Sequence, residues 1–422
     1  MLTASGPLWK KWRSIFNPGF SVQHLVGQVP MMVDCCQKFI RVLDQRASSD
    51  CVFRMEEEAT KITIDIIGKA ICDHDFRSFE PDATFITWMR GVLSWSIDHQ
   101  SINPFHRYSL LRPPVLKYYR WRLSTYVGKV LDDRFGSRKP AIADAKRSKS
   151  GVDLALEVYK KEYSNISGVD TASMSAEFRK AAVDNLLILL FAGHDTTSST
   201  LCYCYKLLND NPSTLEAARR ELDTVFGVNV SAADQLRKSP YLVNKLDYLL
   251  AVIKEVLRLW SPGSTARLGR KDFFVREPGT GELLPTEGTN VWIPSFVMGR
   301  SRKIWGEDVD EFKPERFLPE NIASVPVDAW RPFEKGPRNC IGQELSLIEL
   351  KTVLALTLRE FDIRSAFDEL ASLSNDGSLW TKDSSFQKGP QEVFGDPMYQ
   401  VLLAAGKPRE GMPARVKRRK AF

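Results

Sequence analysis

The sequence contains few of the residue patterns that build disulfide frameworks or zinc sites. Its seven cysteines are odd in number and form no Cys-x-x-Cys pair, and its five histidines show no metal-ligand spacing. Small secreted domains use paired cysteines, and zinc sites need closely spaced Cys or His ligands. These absences argue against both classes and indicate a reducing, cytosol-facing location.

Long apolar runs, Gly/Ser-rich linkers and repeats of fixed period are also missing. No run of 18 apolar residues occurs, so the sequence predicts no membrane-spanning segment, and no signal peptide is visible. The chain has 422 residues, of which 43% are hydrophobic, and this is enough for a large core. We therefore expect one domain over residues 1–406.

Positive charge is unevenly distributed. Residues 407–420 supply +6 of the net charge of +7, because seven Lys and Arg residues there accompany one glutamate. Such a segment binds nucleic acid or an acidic membrane surface, or is a solvated terminus. We predict a basic, flexible tail over residues 407–422, peripheral membrane contact at most, and no nucleic-acid partner.

Apolar periodicity predicts mainly helices. The longest pattern covers Ser175–Leu208 and stops at the sequence Asn-Asp-Asn-Pro, and at 1.5 Å per residue this helix would be about 50 Å long. Short β-like pieces with turn signals lie between Thr265 and Trp292. The expected fold class is mainly α with a minor β portion.

The most informative stretch is Phe-Glu-Lys-Gly-Pro-Arg-Asn-Cys-Ile-Gly at residues 333–342. It presents Cys340 on a glycine-bracketed loop just before an apolar helical run. The free N–H groups and the positive dipole end of that helix favour a thiolate, which is either a nucleophile or a metal ligand. Gly336 is free to take a positive φ and so permits a sharp turn.

A second motif lies within the long helix, where residues 192–197 read Ala-Gly-His-Asp-Thr-Thr. Glycine, aspartate and threonine are poor residues for a helix interior, and threonine hydroxyls compete for carbonyls four residues back. We expect a local distortion that opens a pocket, as is common at functional sites. His194 is expected to be a packing residue rather than a ligand.

Two residue pairs have helical spacing. Glu255 and Arg258 share a helix face with apolar flanks, which favours a buried ion pair. Trp9 and Arg13 lie on one face of a short amphipathic helix. Either pair taken alone is also typical of an ordinary helix.

Taken together, and in the order in which they follow one another along the chain, the motifs resemble those of the cytochrome P-450 family, most closely its fungal microsomal members. Phe-x-x-Gly-x-Arg-x-Cys-x-Gly is similar to the family's haem-binding signature, and Ala-Gly-x-Asp-Thr-Thr to its oxygen-activation motif. The resemblance implies a haem-thiolate monooxygenase that inserts one oxygen atom from O2 into an apolar small molecule, in fungal secondary metabolism or detoxification. Its cofactors would be haem b and O2, with electrons from NADPH through NADPH-cytochrome P-450 reductase.

The resemblance also implies roles for individual residues. Cys340 is the axial ligand of the haem iron, Thr196 supports proton delivery to oxygen, and Asp195 relays protons from solvent. Glu255, Arg258 and Arg316 form a structural triad that fixes the cysteine loop. The residues expected to contact haem or its sulfur ligand are Trp9, Arg13, Ala192, Gly193, Arg267, Phe333, Gly336, Arg338, Cys340 and Gly342.

The sequence departs from the family pattern at its start. The Trp-x-x-x-Arg element begins at residue 9, whereas in the family it follows a membrane anchor, the first helices and part of the β-sheet, so we expect an N-terminal truncation. The expected location is the cytosolic face of the endoplasmic reticulum if a longer form carries an anchor, and otherwise the cytoplasm. Gly299 also stands where many relatives have histidine.

Two alternative functions stay open at this point. One is a truncated, non-catalytic haem-binding remnant, which the start of the chain favours. The other is a relative that isomerises or dehydrates an oxygenated substrate, and the intact Asp195–Thr196 pair counts against it.

Overall fold

The structure of the protein is a computed structural model that describes residues 4–96, 109–136, 149–163, 174–373, 392–393 and 395–419. Within these ranges helices predominate, so the predicted class, mainly α with a minor β portion, is confirmed. The helices are α1 (Gly6–Phe16), α2 (Val22–Val26), α3 (Val29–Ser49), α4 (Met55–Ile67), α5 (Thr84–Ser96), α6 (Arg112–Gly136), α7 (Gly151–Tyr163), α8 (Ala176–Asp210), α9 (Pro212–Phe226), α10 (Ala232–Lys238), α11 (Asp247–Leu259), α12 (Ser295–Gly299), α13 (Arg302–Trp305) and α14 (Gln343–Thr357).

The strands are short and pair antiparallel. One sheet has the order β1-β9-β6, and three further pairs join β2 to β5, β3 to β4 and β7 to β8. The strands are β1 (Phe53–Arg54), β2 (Thr265–Leu268), β3 (Phe274–Arg276), β4 (Leu283–Pro285), β5 (Asn290–Ile293), β6 (Phe361–Ser365), β7 (Gln400–Leu403), β8 (Ala405–Pro408) and β9 (Pro413–Arg418).

Helix α8 is the predicted long helix and passes through the core. Its N-cap is Ser175, whose hydroxyl oxygen accepts a hydrogen bond from the N–H of Phe178 at 3.3 Å. Every residue from Thr197 to Leu208 is buried, and the helix contacts α4, α6, α11 and α14. Because it is covered on all sides, the side chains at its middle are positioned by several other elements.

The prediction of a flexible tail is wrong for residues 407–419. Strands β8 and β9 contain most of this segment, and β9 is the central strand of its sheet, between β1 and β6. Alternate apolar residues of β9, Ala414 and Val416, are buried in the core. Residues 420–422 lie outside the described residues.

Several positive charges of this segment are paired with acidic side chains. The guanidinium of Arg415 binds Glu369, with 2.8 Å between Nε and Oε2, and its Nη1 lies 2.8 Å from Oδ1 of Asp50. Arg418 binds Asp44. These acids lie 46 or more residues away in sequence, so a local count of charge could not reveal the pairing.

No helix in the described part of the chain is long and apolar enough to cross a bilayer. All seven cysteines are free thiols, in agreement with the absence of paired spacing in the sequence.

Candidate haem-thiolate site

The loop before α14 turns sharply and presents Cys340. Gly336 has φ of +79°, and its carbonyl accepts a hydrogen bond from the N–H of Asn339 at 3.0 Å. The N–H of Cys340 donates to the carbonyl of Phe333 at 2.8 Å, which closes the loop across the motif. Glycine is suited to this position because a positive φ costs it no steric strain.

The thiol of Cys340 lies near the start of α14, whose N-cap is Gly342. Desolvation by the surrounding protein raises the pKa of Cys340, and this outweighs the N–H groups of Gly342 and Gln343 and the charge of Arg13, which lower it. Cys340 is nevertheless an exposed residue, so solvent limits the desolvation. The N–H groups at the start of α14 therefore favour the thiolate, as expected, but desolvation of the thiol outweighs them.

Arg13 of α1 binds the cysteine loop directly. Its Nη1 donates to the carbonyl of Asn339 and its Nη2 to the Asn339 side-chain oxygen, both at 2.8 Å. Its Nε donates to Asn17, also at 2.8 Å. The Arg13 guanidinium is thus held next to Cys340 by the residue that precedes it.

Three predicted cofactor-binding residues line a common groove. Trp9, Arg267 and Arg338 surround a cavity of about 560 Å³ together with Gly6, Lys10, Lys335 and Pro337. The guanidinium carbon of Arg338 lies 4.2 Å from the centre of the Trp9 ring, a cation–π distance. The groove therefore has several positive charges and one aromatic wall.

The Ala-Gly-His-Asp-Thr-Thr motif lies in the middle of α8, which remains helical throughout. The hydroxyl of Thr196 donates to the carbonyl of Ala192 at 3.0 Å, so it bonds back along the helix and produces no break. Gly193 packs against α4, since a Cβ there would lie 2.7 Å from the side chain of Ile67. The described helix thus differs from the distortion expected at this motif.

A hydrogen bond joins the Ala-Gly-His-Asp-Thr-Thr motif to α14, the helix that follows the cysteine loop. The hydroxyl of Thr197, which follows Thr196, lies 3.2 Å from the hydroxyl of Ser346 in α14. The N–H of Ser346 in turn donates to the carbonyl of Gly342 at 2.9 Å. The segment that contains Asp195 and Thr196 is therefore packed against the helix that begins beside Cys340.

Asp195 points into the protein rather than to solvent. Its side chain is 3% exposed, and its Oδ1 lies 2.9 Å from the ammonium of Lys407 in β8. The same ammonium lies 2.5 Å from Oε1 of Glu56 in α4. Neither Lys407 nor Glu56 was expected at the site, because the two residues are 351 positions apart and no local pattern links them.

His194 is also buried. Its Nδ1 lies 2.8 Å from the carbonyl of Leu190, one turn earlier in α8. Burial lowers its pKa, although Asp195 and the Leu190 carbonyl act in the opposite direction. We infer a neutral imidazole within the packed helix. Among the described residues no group of three or more His, Cys, Asp and Glu side chains has the geometry to hold a metal ion.

Glu255 and Arg258 form a buried, two-pronged ion pair. Both nitrogen–oxygen distances are 2.7 Å, and neither side chain is exposed. The other nitrogen of Arg258 donates to the carbonyls of Gly299 at 2.7 Å and Val309 at 2.6 Å. The pair thus links α11 to the loop region that follows α12.

Arg316 completes the predicted triad at longer range. Its Nε lies 3.5 Å from Oε1 of Glu255, while its Nη2 lies 2.8 Å from a carboxylate oxygen of Asp308. The backbone N–H of Lys313 donates to the same Glu255 oxygen at 3.0 Å. The three members are therefore close together, and the main partner of Arg316 is Asp308.

Gly299 has a structural reason to lack a side chain. A Cβ at this position would lie 1.9 Å from the carbonyl oxygen of Arg258, a backbone atom that cannot move aside.

We expect Gly299→Ala to lower the free energy of unfolding by about 3 kcal/mol or more, since the clash must displace α11 or α12. Urea unfolding measures the effect. Gly263→Ala is the matched control because nothing lies within 4 Å of its Cβ position. Equal stability of the two variants would contradict this packing.

Comparison with known proteins gives the family. The cytochrome P450 family model matches residues 1–387. Cytochrome P450 monooxygenase polC of Polytolypa hystricis is 35% identical over 99% of this chain and 72% of its own length. Cytochrome P450 monooxygenase acrF of Aspergillus aculeatus is 34% identical over 98% of this chain and 83% of its own length. A bifunctional cytochrome P450/NADPH–P450 reductase of Gibberella moniliformis is 28% identical over 85% of this chain and 30% of its own length.

The protein has a helical fold with an exposed cysteine on the loop before α14. This loop lies next to the helix that packs against the motif in α8. The chain belongs to the cytochrome P450 family. The resemblance stated from the motifs is thereby confirmed, and relatives of this similarity support a monooxygenase.

Proposed function

We propose that this chain is a haem-thiolate monooxygenase that inserts one oxygen atom from O2 into an apolar small molecule. The observation that carries the proposal is the exposed thiol of Cys340, on a loop that Arg13 binds and next to a helix joined to the Asp195–Thr196 segment. Membership of the family implies haem and O2.

The residues of the site fit a haem group. Cys340 is exposed, so its sulfur could reach the iron, and Gly342 has no side chain at the position 3.9 Å from that sulfur where a Cβ would lie. Arg267 and Arg338 in the groove supply positive charges for propionates, and Trp9 supplies an aromatic surface. Thiolate ligation is the protein's means of favouring O–O bond cleavage in this family.

When bound, haem supplies the oxygen chemistry, and the protein holds and orients the participants. Cys340 would bind the iron, while Arg13, Arg267 and Arg338 would bind the propionates. Thr196 would hold a proton at its hydroxyl, and Asp195 would supply the carboxylate behind it.

NADPH-cytochrome P-450 reductase is the proposed electron donor. The Gibberella moniliformis relative, whose name includes an NADPH–P450 reductase, supports this choice. Similarity to fungal monooxygenases supports a substrate from fungal secondary metabolism or detoxification. The endoplasmic reticulum remains the location predicted for a form that carries an anchor.

Isotope labelling tests the proposed reaction. The full chain, reconstituted with haem and a reductase, is supplied with NADPH, ¹⁸O2 and a panel of apolar fungal metabolites. Mass spectrometry should find a product that contains one ¹⁸O atom and requires NADPH. A product isomerised or dehydrated without ¹⁸O would contradict the proposal and favour the non-oxygenating alternative.

Thr196→Ala is expected to uncouple electron consumption from product formation. With any substrate that the wild type oxidises, product formed per NADPH should fall about 10-fold or more, because the hydroxyl that holds the proton is gone. Thr200→Ala is the control, since the Thr200 hydroxyl bonds back along the same helix, to the carbonyl of Thr196 at 2.9 Å. If both variants keep wild-type coupling, Thr196 has no role in proton delivery.

A further inference from the structure

Lys407 occupies the centre of a buried polar cluster that none of the sequence motifs predicted. Its ammonium lies 2.9 Å from Oδ1 of Asp195, 2.5 Å from Oε1 of Glu56 and 2.9 Å from the hydroxyl of Ser198. An ammonium group has three N–H donors and no acceptor, so these three oxygens use all of its hydrogen-bonding capacity. Lys407 is only 4% exposed.

The charges of this cluster do not balance. Glu56 and Asp195 supply two carboxylates, Lys407 supplies one ammonium, and Arg90 acts on Glu56 from farther away. Burial would raise the pKa of Glu56, but Lys407, Arg90 and the hydroxyl of Thr60 lower it. Despite burial, the two acids raise the pKa of Lys407, which therefore stays charged.

Asp195 uses only one of its two carboxylate oxygens in this cluster. Oδ2 is buried and finds no hydrogen-bond donor in the part of the chain that the structure describes. Buried carboxylate oxygens are normally satisfied, so an open acceptor at this position needs an explanation. An oxygen that is fixed but unbound is suited to accept a proton.

Lys407 is itself held firmly on α8. The hydroxyl of Ser199 donates to the carbonyl of Gly406 at 2.6 Å, and the N–H of Gly406 donates to the carbonyl of Pro262 at 2.7 Å. These bonds fix the backbone next to Lys407 to two other segments. The position of its ammonium follows from the fold, and not from a flexible side chain on the surface.

We propose that Lys407 is a positioning residue, which keeps Asp195 ionised, fixes Oδ1 and leaves Oδ2 open to accept a proton. Glu56 also binds Lys407, so the one positive charge of the ammonium is divided between the carboxylates of Glu56 and Asp195. The functional part of this inference rests on the proposed monooxygenase, in which Asp195 is the carboxylate behind Thr196. The electrostatic part concerns the protein's own residues and holds with or without haem.

Infrared spectroscopy of the full chain tests the electrostatic part. Lys407→Met is combined with Glu56→Gln, so that Asp195 is the carboxylate that remains in the cluster. At pH 7 this double variant should show the carbonyl band of a protonated carboxylic acid, because a buried carboxylate without its cation takes up a proton. The band should vanish when Asp195→Asn is added. Differences between variants cancel the contribution of Glu349, whose pKa burial raises well above its usual value.

Conservative and matched control variants distinguish the effect of Lys407 on Asp195 from a general loss of structure. Lys407→Arg with Glu56→Gln keeps the charge and should show no band, and neither should Glu56→Gln alone. Lys206→Met removes another buried lysine of α8, which lies 2.8 Å from Asp396, and should leave the state of Asp195 unchanged. If the Met variant does not fold, Lys407→Gln combined with Glu56→Gln replaces it and should show the same band. A folded double variant without the band, or a band in Lys206→Met that vanishes when Asp195→Asn is added, would overturn the inference.

Activity then tests the functional part. Lys407→Met should lower product per NADPH about 10-fold with little change in KM, and Lys407→Arg should restore most of it. If the infrared result holds but the wild-type chain forms no thiolate-ligated haem, the proposed function fails and the electrostatic role of Lys407 stands. If wild-type turnover is present and Lys407→Met leaves coupling unchanged, Lys407 has no part in the reaction.

Discussion

Replacing Cys340 by alanine is expected to abolish thiolate ligation and all product formation. Cys340 is the only cysteine that the structure places on an exposed loop at the start of a helix, and the Arg13 guanidinium next to it favours the thiolate. Desolvation raises the pKa of the thiol, and the positive charge of a bound metal ion would favour the thiolate. Without the sulfur, the site has no anionic ligand.

The absorption spectrum of the ferric, haem-reconstituted chain measures this loss. The wild type should show a thiolate-type Soret band, and Cys340→Ala should lack it. Cys51→Ala is the control because Cys51 is partly exposed, lies 3.2 Å from the hydroxyl of Ser49 and is not part of any motif. A thiolate-type spectrum in Cys340→Ala, or its loss in Cys51→Ala, would contradict the assignment of the ligand.

Replacing Arg258 by methionine is expected to destabilise the fold by about 3–5 kcal/mol, the range found when one member of a buried ion pair is removed. The change leaves Glu255 buried without its main partner. It also removes donors from the carbonyls of Gly299, Val309 and Glu311, which Arg258 binds at 2.6–3.0 Å. A buried acceptor that loses its donor carries the cost of its desolvation.

Urea unfolding, followed by circular dichroism and tryptophan fluorescence, gives this free energy. Lys180→Met is the control, since Lys180 forms an exposed i,i+4 pair with Asp184 and its replacement should change the free energy of unfolding little. If Arg258→Met were as stable as the control, the ion pair would not be a structural link between α11 and the loop region that follows α12.

Features set by local sequence could be predicted. The long helix α8 was expected over Ser175–Leu208 and spans Ala176–Asp210, because a serine N-cap and an Asn-Asp-Asn-Pro stop mark its ends. Apolar flanks of Glu255 and Arg258 likewise indicated burial, and both residues are buried. In each case the signal lies within one element.

Features that depend on distant pairing could not be predicted. Lys407 was assigned to a solvated tail, because its partners Glu56 and Asp195 come from two helices far away in the sequence. The helix N-terminus beside Cys340 is visible in the sequence, but the desolvation that raises the pKa of its thiol is not. Burial and long-range charge pairing arise only when the chain is folded.

The reduced, carbon-monoxide difference spectrum of the purified 422-residue chain tests the central claim most directly. A strongly red-shifted Soret band is predicted, since it would report haem iron bound by the Cys340 thiolate. A band at the position of a neutral-ligand haem, or no bound haem at all, would contradict the claim that Cys340 makes this chain a haem-thiolate protein.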